Sequence, residues 1–159
     1  MNATHARAMR ELLERQDVAA LGTLHKGEPF VSMVPYALAP GGGGFVIHVS
    51  RLATHTRDME EHAGVSLLVM EERAPEVPPQ ALPRVTVQGQ ARPCAPDDPL
   101  HAAAREAYLA RFPDSEMMFG FADFSLFVIE PRSVRVVGGF AQAWSVTAAD
   151  FARFMGAGG

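Results

Sequence analysis

The sequence predicts a mainly β (α+β) fold, in which six or seven antiparallel strands form a small closed or partly closed barrel with short peripheral helices. Two observations lead to this prediction. Many β-like runs are separated only by short links rich in Gly and Pro, which favours antiparallel pairing. Strands and helices do not alternate regularly, which disfavours a parallel Rossmann sheet. Closing the sheet into a barrel would remove its exposed edges.

The first half of the chain contains four predicted strands and two predicted helices. In the first helix, Ala6, Met9, Leu12 and Leu13 share one face, and Thr4 is a candidate N-cap. The segment from His25 to Pro29 is typical of a turn, and the glycines at 41–44 are typical of a hairpin loop. The predicted helices are 4–15 and a segment from Ala53 or Thr54 to Gly64, and the predicted strands are 18–24, 30–38, 45–50 and 65–70.

The second half begins with a loop at 71–83 that holds four prolines. Residues 84–92 then alternate between apolar and polar side chains, as a half-buried strand does. The remaining predicted elements are a helix at about 98–111, strands at 125–131, 133–140 and 143–146, and a terminal helix after Thr147.

Composition limits the classes of function. A chain of 159 residues with 48% apolar residues is expected to form one globular domain, 1–159. The net charge of −4, with both signs interspersed, argues against nucleic-acid or polybasic membrane partners. No apolar segment reaches the roughly 20 residues of a membrane helix, and no signal-peptide core is visible. With Cys94 as the single cysteine, we predict a cytoplasmic protein.

The segment 48–58, HVSRLATHTRD, is the most informative one for function. A strand ends and a helix begins there, so free N–H groups and the positive end of the helix dipole lie beside hydroxyl and cationic side chains. Such a junction can bind a phosphate group. It is equally compatible with simple N-capping by Ser50 or Thr54.

Other patterns carry less chemistry. The histidine spacing does not predict a metal site, and no residue is assigned a catalytic role. Glycines 41–44 lack the residues of a phosphate loop. The pair Gly138 and Gly139 indicates either close approach of a ligand or a β-bulge.

Together these segments resemble the pyridoxamine 5′-phosphate oxidase-like, FMN-binding split β-barrels. The resemblance rests on PFVSMVPYA at 29–37, FVIHVSRLATHTRD at 45–58, VSLLV at 65–69 and RVTVQGQA at 84–91. More narrowly, SRLATHTRD, DFSLFVIEP at 123–131 and VGGFAQAW at 137–144 resemble the heme-utilisation branch, which includes heme oxygenase-like proteins.

The resemblance implies a homodimer with FMN at the subunit interface, and a flavin-dependent oxidoreductase acting on a small-molecule substrate. Heme is the alternative ligand, and a cofactor-free barrel that serves only in dimeric interaction is a third hypothesis. The phenylalanines between 119 and 127 are expected at or behind the interface. The implied cofactor-binding residues are Ser32, Met33, Val34, Pro35, His48, Val49, Ser50, Thr54, His55, Arg57, Arg84, Gly139, Phe140 and Trp144.

Two departures from the oxidase pattern narrow the expected activity. Ser32 and Ala37 occupy positions where the true oxidases carry basic residues, and a basic pair near the C-terminus is missing. Without these charges the phosphate of pyridoxamine phosphate is unpaired, so its oxidation is expected to be negligible. The alternative is that Arg84 or Arg135 supplies the missing charge from another strand. The sequence also ends without the further C-terminal domain of the heme-utilisation branch, which puts heme degradation in doubt.

Overall fold

A computed structural model describes residues 1–157, so the last two residues of the predicted domain lie outside the described part. Eight strands form one curled antiparallel sheet, which confirms the predicted mainly β barrel class. The helices are α1 Ala3–Arg15, α2 Thr54–Glu61, α3 His101–Arg111 and α4 Ala148–Gly156. The strands are β1 Val18–His25, β2 Glu28–Pro35, β3 Ala37–Leu38, β4 Phe45–Ser50, β5 Gly64–Met70, β6 Arg84–Pro93, β7 Phe124–Gly139 and β8 Gln142–Thr147.

The sheet has the order β2-β1-β5-β6-β7-β4-β3, and β8 pairs with β7. Strand β2 also contacts β4, so the two ends of the curled sheet approach each other. Apolar side chains from alternate positions of most strands fill the interior, because successive side chains of a strand point to opposite faces. A second, smaller apolar cluster lies outside the barrel, between α3 and the outer face of β3, β4 and β7.

Several predicted boundaries are wrong for identifiable reasons. The strand predicted at 30–38 is two strands, because Tyr36 leaves the ladder and donates its backbone N–H to the Asp17 carbonyl at 3.0 Å. The strands predicted at 125–131 and 133–140 form one 16-residue strand, β7. Pro131 is accommodated there because the pairing with β6 shifts register at Gln88 and Gly89.

The helix ends also differ from the predictions. Helix α1 is capped by Asn2, whose side chain accepts from the His5 N–H, and Thr4 lies inside the helix. Helix α2 ends at Glu61 rather than at Gly64, because Gly64 already pairs with Gln90 in the sheet. Within residues 1–157 no helix is long and apolar enough to cross a membrane.

Candidate functional site

Helix α2 covers one end of the barrel, where it contacts β1. Leu21 is fully buried in the barrel, so the alternation of β1 brings Thr23 and His25 to the same inner face. Strand β2 contributes Ser32, which lies opposite Leu21 in the antiparallel ladder. We call this set the α2 end of the barrel, defined by Thr23, His25, Ser32, His55 and Asp58.

A buried carboxylate organises this end. Asp58 is 2% exposed, accepts a hydrogen bond from the Thr23 hydroxyl at 2.9 Å, and contacts His25 Nδ1 at 2.8 Å. Burial alone would raise the pKa of Asp58, but the hydrogen bonds from His25 and Thr23 hold it below its ordinary value. The side chain is therefore ionised at neutral pH, and His25 must donate its Nδ1–H to it.

The second contact joins two predicted site residues. Ser32 Oγ lies 3.1 Å from His55 Nδ1, so the structure brings these two residues together. Burial lowers the pKa of His55, and the charge of Asp58 opposes this shift. His55 therefore favours its neutral form near neutral pH and offers hydrogen bonding rather than charge.

The start of α2 is not capped by a side chain. The N-cap position is Ala53, so both capping residues considered from the sequence, Ser50 and Thr54, are wrong. Ser50 instead donates to the Asp123 carboxylate at 2.7 Å and accepts from the Leu52 N–H at 3.1 Å. The first-turn N–H groups, beginning at Thr54, thus keep the positive end of the helix available for an anion.

His48 lies on the outer face of β4, because its neighbours Ile47 and Val49 point into the barrel. Its ring stacks on Phe119 with 3.8 Å between centroids, and its buried Nδ1 has no hydrogen-bond partner. Burial, followed by the charges of Arg105 and His101, lowers the pKa of His48 to about 4. A cavity of about 350 Å³ beside it is lined by Arg51, Arg105 and other residues.

Strand positions 33–35 and 49 differ in what they can offer a ligand. The side chains of Val34 and Val49 are buried in the barrel interior, so only their backbone could meet a cofactor. Met33 is 61% exposed and Pro35 is also exposed on the outer face of β2. On α2, Arg57 donates to the Leu52 carbonyl at 3.4 Å.

The other predicted site residues form a separate group near the start of β1. Arg84 donates to the carbonyls of Gln80 and Leu82. It pairs with Met70 in β5, two residues beyond Leu68, and Leu68 pairs with Ala20 near the start of β1. Trp144 stacks on His5 at 4.1 Å. Gly139 lies in the same β7–β8 hairpin, whose Phe140 is exposed. One chain does not bring this group to the α2 end, and its contribution from a partner subunit stays a prediction.

Of the two explanations of the Gly138–Gly139 pair, the structure confirms the β-bulge and leaves the approach of a ligand a prediction. The pairing of β7 with β8 shifts register between Val137 and Gly139, which is a bulge. A Cβ at Gly138 would lie 2.7 Å from the Trp144 ring, so the close approach there is made by an indole of the same chain.

Sequence reasoning missed Thr23, His25 and Asp58. His25 was assigned to a turn, yet it ends β1, and the turn begins at Lys26. Two signals were present. The inward alternation of β1 continues through Thr23 to His25, and Asp58 follows His55 by three residues, which places both on one face of α2.

Comparisons with known proteins add a family context. A model of the pyridoxamine 5′-phosphate oxidase family matches residues 6–138. The chloroplastic non-canonical heme oxygenase HOZ of Arabidopsis thaliana is 38% identical over 120 residues, which are 76% of this chain and 35% of that protein. The heme oxygenase HutZ of Vibrio cholerae is 26% identical over 151 residues, which are 92% of this chain and 84% of that protein.

A solved structure is also similar. The heme binding protein from Mycobacterium smegmatis has a TM-score of 0.85 and 31% identity, over 96% of this chain and 62% of that one. The chain thus spans about a third of the length of the plant relative and less than two thirds of the length of the mycobacterial one.

Proposed function

The chain belongs to the pyridoxamine 5′-phosphate oxidase family, and from this membership we propose that it binds heme at the α2 end of its barrel. The observation that carries the proposal is that imidazole side chains lie beside exposed apolar surface at that end. The heme-related relatives support heme as the ligand ahead of the FMN implied by the sequence motifs.

The residues at this end fit the chemistry of heme. Heme presents a flat apolar ring, an iron that takes axial ligands and two carboxylates. Strand β2 exposes Phe30 at 38% on the face that carries His25, because Phe30 lies opposite Thr23 in the ladder, and this ring is apolar surface for a ligand. His25 supplies an imidazole, and the uncapped start of α2 suits a carboxylate. When bound, the iron would supply redox and oxygen chemistry, and the protein would control its surroundings.

Hemin titration of the full chain tests this proposal. We expect a saturable Soret band, and we expect Ser32→Ala to weaken binding less than Phe30→Asp, which adds a charge to the apolar surface beside His25. Leu100→Asp is a matched control, because Leu100 is a similarly exposed apolar residue at the start of α3. A Phe30→Asp protein that binds hemin like the control would contradict the assignment of the ring to β2.

FMN is the second candidate ligand, and a specific feature favours it. The free N–H groups at the start of α2, with the Ser32 hydroxyl nearby on His55, would suit a phosphate as well as a carboxylate. In that case the protein is a flavin-dependent oxidoreductase with a small-molecule substrate. We expect no appreciable oxidation of pyridoxamine phosphate, because Ser32 and Ala37 carry no charge. A peroxide-coupled assay with FMN added would show turnover if this reasoning is wrong.

A second copy of the chain is the proposed occupant of the outer face of β2. Val18 and Met33 are exposed on neighbouring strands, since Val18 pairs with Pro35. Exposed apolar surface shared by adjacent strands is typical of an interaction site. Light scattering is expected to give a dimer, and a monomer that still binds its cofactor would contradict the proposal.

A further inference from the structure

The six histidines of the chain differ sharply as ligands for an iron ion. His48 is only 8% exposed and stacked under Phe119. His5 is stacked on Trp144, on the far side of the molecule from α2 by the strand register. His62 uses Nδ1 to accept the Gly64 N–H. His101 begins α3, outside the barrel.

His25 differs from these in what holds its ring. Its side chain is 40% exposed, and its Nδ1 lies 2.8 Å from the Asp58 carboxylate. Because an ionised carboxylate can only accept, Nδ1 carries a proton, and in the neutral imidazole the lone pair lies on Nε2. Metal-ligating histidines usually donate their other N–H to a carboxylate or carbonyl, which fixes the ring and raises its basicity.

The carboxylate itself is held in place. Asp58 Oδ2 accepts the Thr23 hydroxyl at 2.9 Å, and α2 carries the residue on its buried face. His55 is the remaining titratable group on this face, and its Nδ1 meets the neutral Ser32 hydroxyl rather than a carboxylate. Of the two histidines at the α2 end, only His25 is therefore hydrogen-bonded to a carboxylate. That bond makes its other ring nitrogen a better electron-pair donor to a metal.

Cysteine and tyrosine, two other residue types that ligate heme iron, are poorly placed. Cys94 is 1% exposed, and burial raises the pKa of its thiol, which keeps it protonated. Tyr36 and Tyr108 are buried in the two apolar clusters, and burial raises the pKa of both phenols. A thiolate or a phenolate is therefore not available at neutral pH from these residues.

We propose that His25 ligates the heme iron through Nε2, with Asp58 as the positioning residue that fixes and strengthens this ligand. The inference rests on the proposed heme function and names the residue that carries it. His25 also lies beside Phe30, with 5.6 Å between ring centroids, so an apolar surface adjoins the ligand.

Resonance Raman spectra of the ferrous hemin complex test the assignment. We expect an iron–histidine stretching band in the wild-type protein, its loss in His25→Ala, and its recovery when imidazole is added. Asp58→Asn is expected to keep the band but lower its frequency, because a neutral amide polarises the ring less. It should also weaken hemin affinity about tenfold or more, as loss of such partners usually does. His5→Ala is the matched control and should keep the band, because His5 is stacked on Trp144 away from this end.

The outcomes separate the two proposals. Wild-type protein that does not bind hemin saturably would overturn the heme function and this inference with it. Hemin binding with an unchanged band in His25→Ala would overturn the inference alone, and loss of the band in His55→Ala would transfer the role to His55. Because His25→Ala removes a hydrogen bond from the buried Asp58, the circular dichroism of the apoprotein checks that this variant folds, and Asp58→Asn tests the same pair with a neutral partner.

Discussion

Replacing His48 on β4 by phenylalanine should make the free energy of unfolding less sensitive to acid. The folded-state pKa of His48 is lowered from 6.5 to about 4, first by burial and then by Arg105 and His101. The folded protein therefore binds this proton less tightly than the unfolded chain does. Stability that is fully present above about pH 6.5 is lost as the pH falls toward 4. At 1.36 kcal/mol per pKa unit, the loss amounts to about 3 kcal/mol.

The His48→Phe protein keeps an aromatic ring against Phe119 but has nothing to protonate there. Urea denaturation at about pH 7 and about pH 4 should show that the wild type loses about 3 kcal/mol more than the variant between these conditions. A packing change adds the same amount at both pH values and cancels from this difference. The titration of Asp58 is common to both proteins and cancels too. Equal losses would refute the reasoning, and His62→Gln, at an exposed position, should behave like the wild type.

Two further predictions concern the fold, and both are checked by urea unfolding of the apoprotein. Gly44→Ala should cost about 3 kcal/mol or more, because φ is +116° and a Cβ would lie 2.1 Å from the Ile129 carbonyl oxygen. Gly43→Ala, at an ordinary φ of −71°, should change stability by less than about 0.5 kcal/mol, and equal effects would contradict the steric argument. Tyr36→Phe should cost about 1 kcal/mol by removing the buried 2.8 Å hydrogen bond to the Leu13 carbonyl, and an unchanged stability would show that Arg111 satisfies this carbonyl alone.

The sequence was most informative where local pattern and tertiary structure agree. The alternation of β6 and the segment from β4 into α2 were predictable, because period-two burial and the strand-to-helix change are written in consecutive residues. The continuity of β7 was not, because Pro131 suggests an end and only the register shift in β6 accommodates it. The glycines at 41–44 are typical of a hairpin loop. The sequence does not show that a side chain at Gly44 would clash with a strand more than 80 residues away.

The candidate site was predictable only in part, for a similar reason. The local spacing in SRLATHTRD pointed to His55 and the start of α2, and the family motif added Ser32 from β2. The Asp58–His25 pair joins residues 33 positions apart, and no local periodicity states that β1 ends beneath α2. Contacts of this kind depend on how the sheet curls, which a single sequence does not show.

The most direct test of the heme proposal is a competition between hemin and FMN for the purified apoprotein, followed by absorbance of the protein fraction after gel filtration. Our account predicts a Soret band that persists in the presence of excess FMN, at a fixed ratio of hemin to protein chain. The band should shift when His25 is substituted. A protein fraction that retains only the two visible bands of flavin, with hemin left in the low-mass fraction, would contradict it.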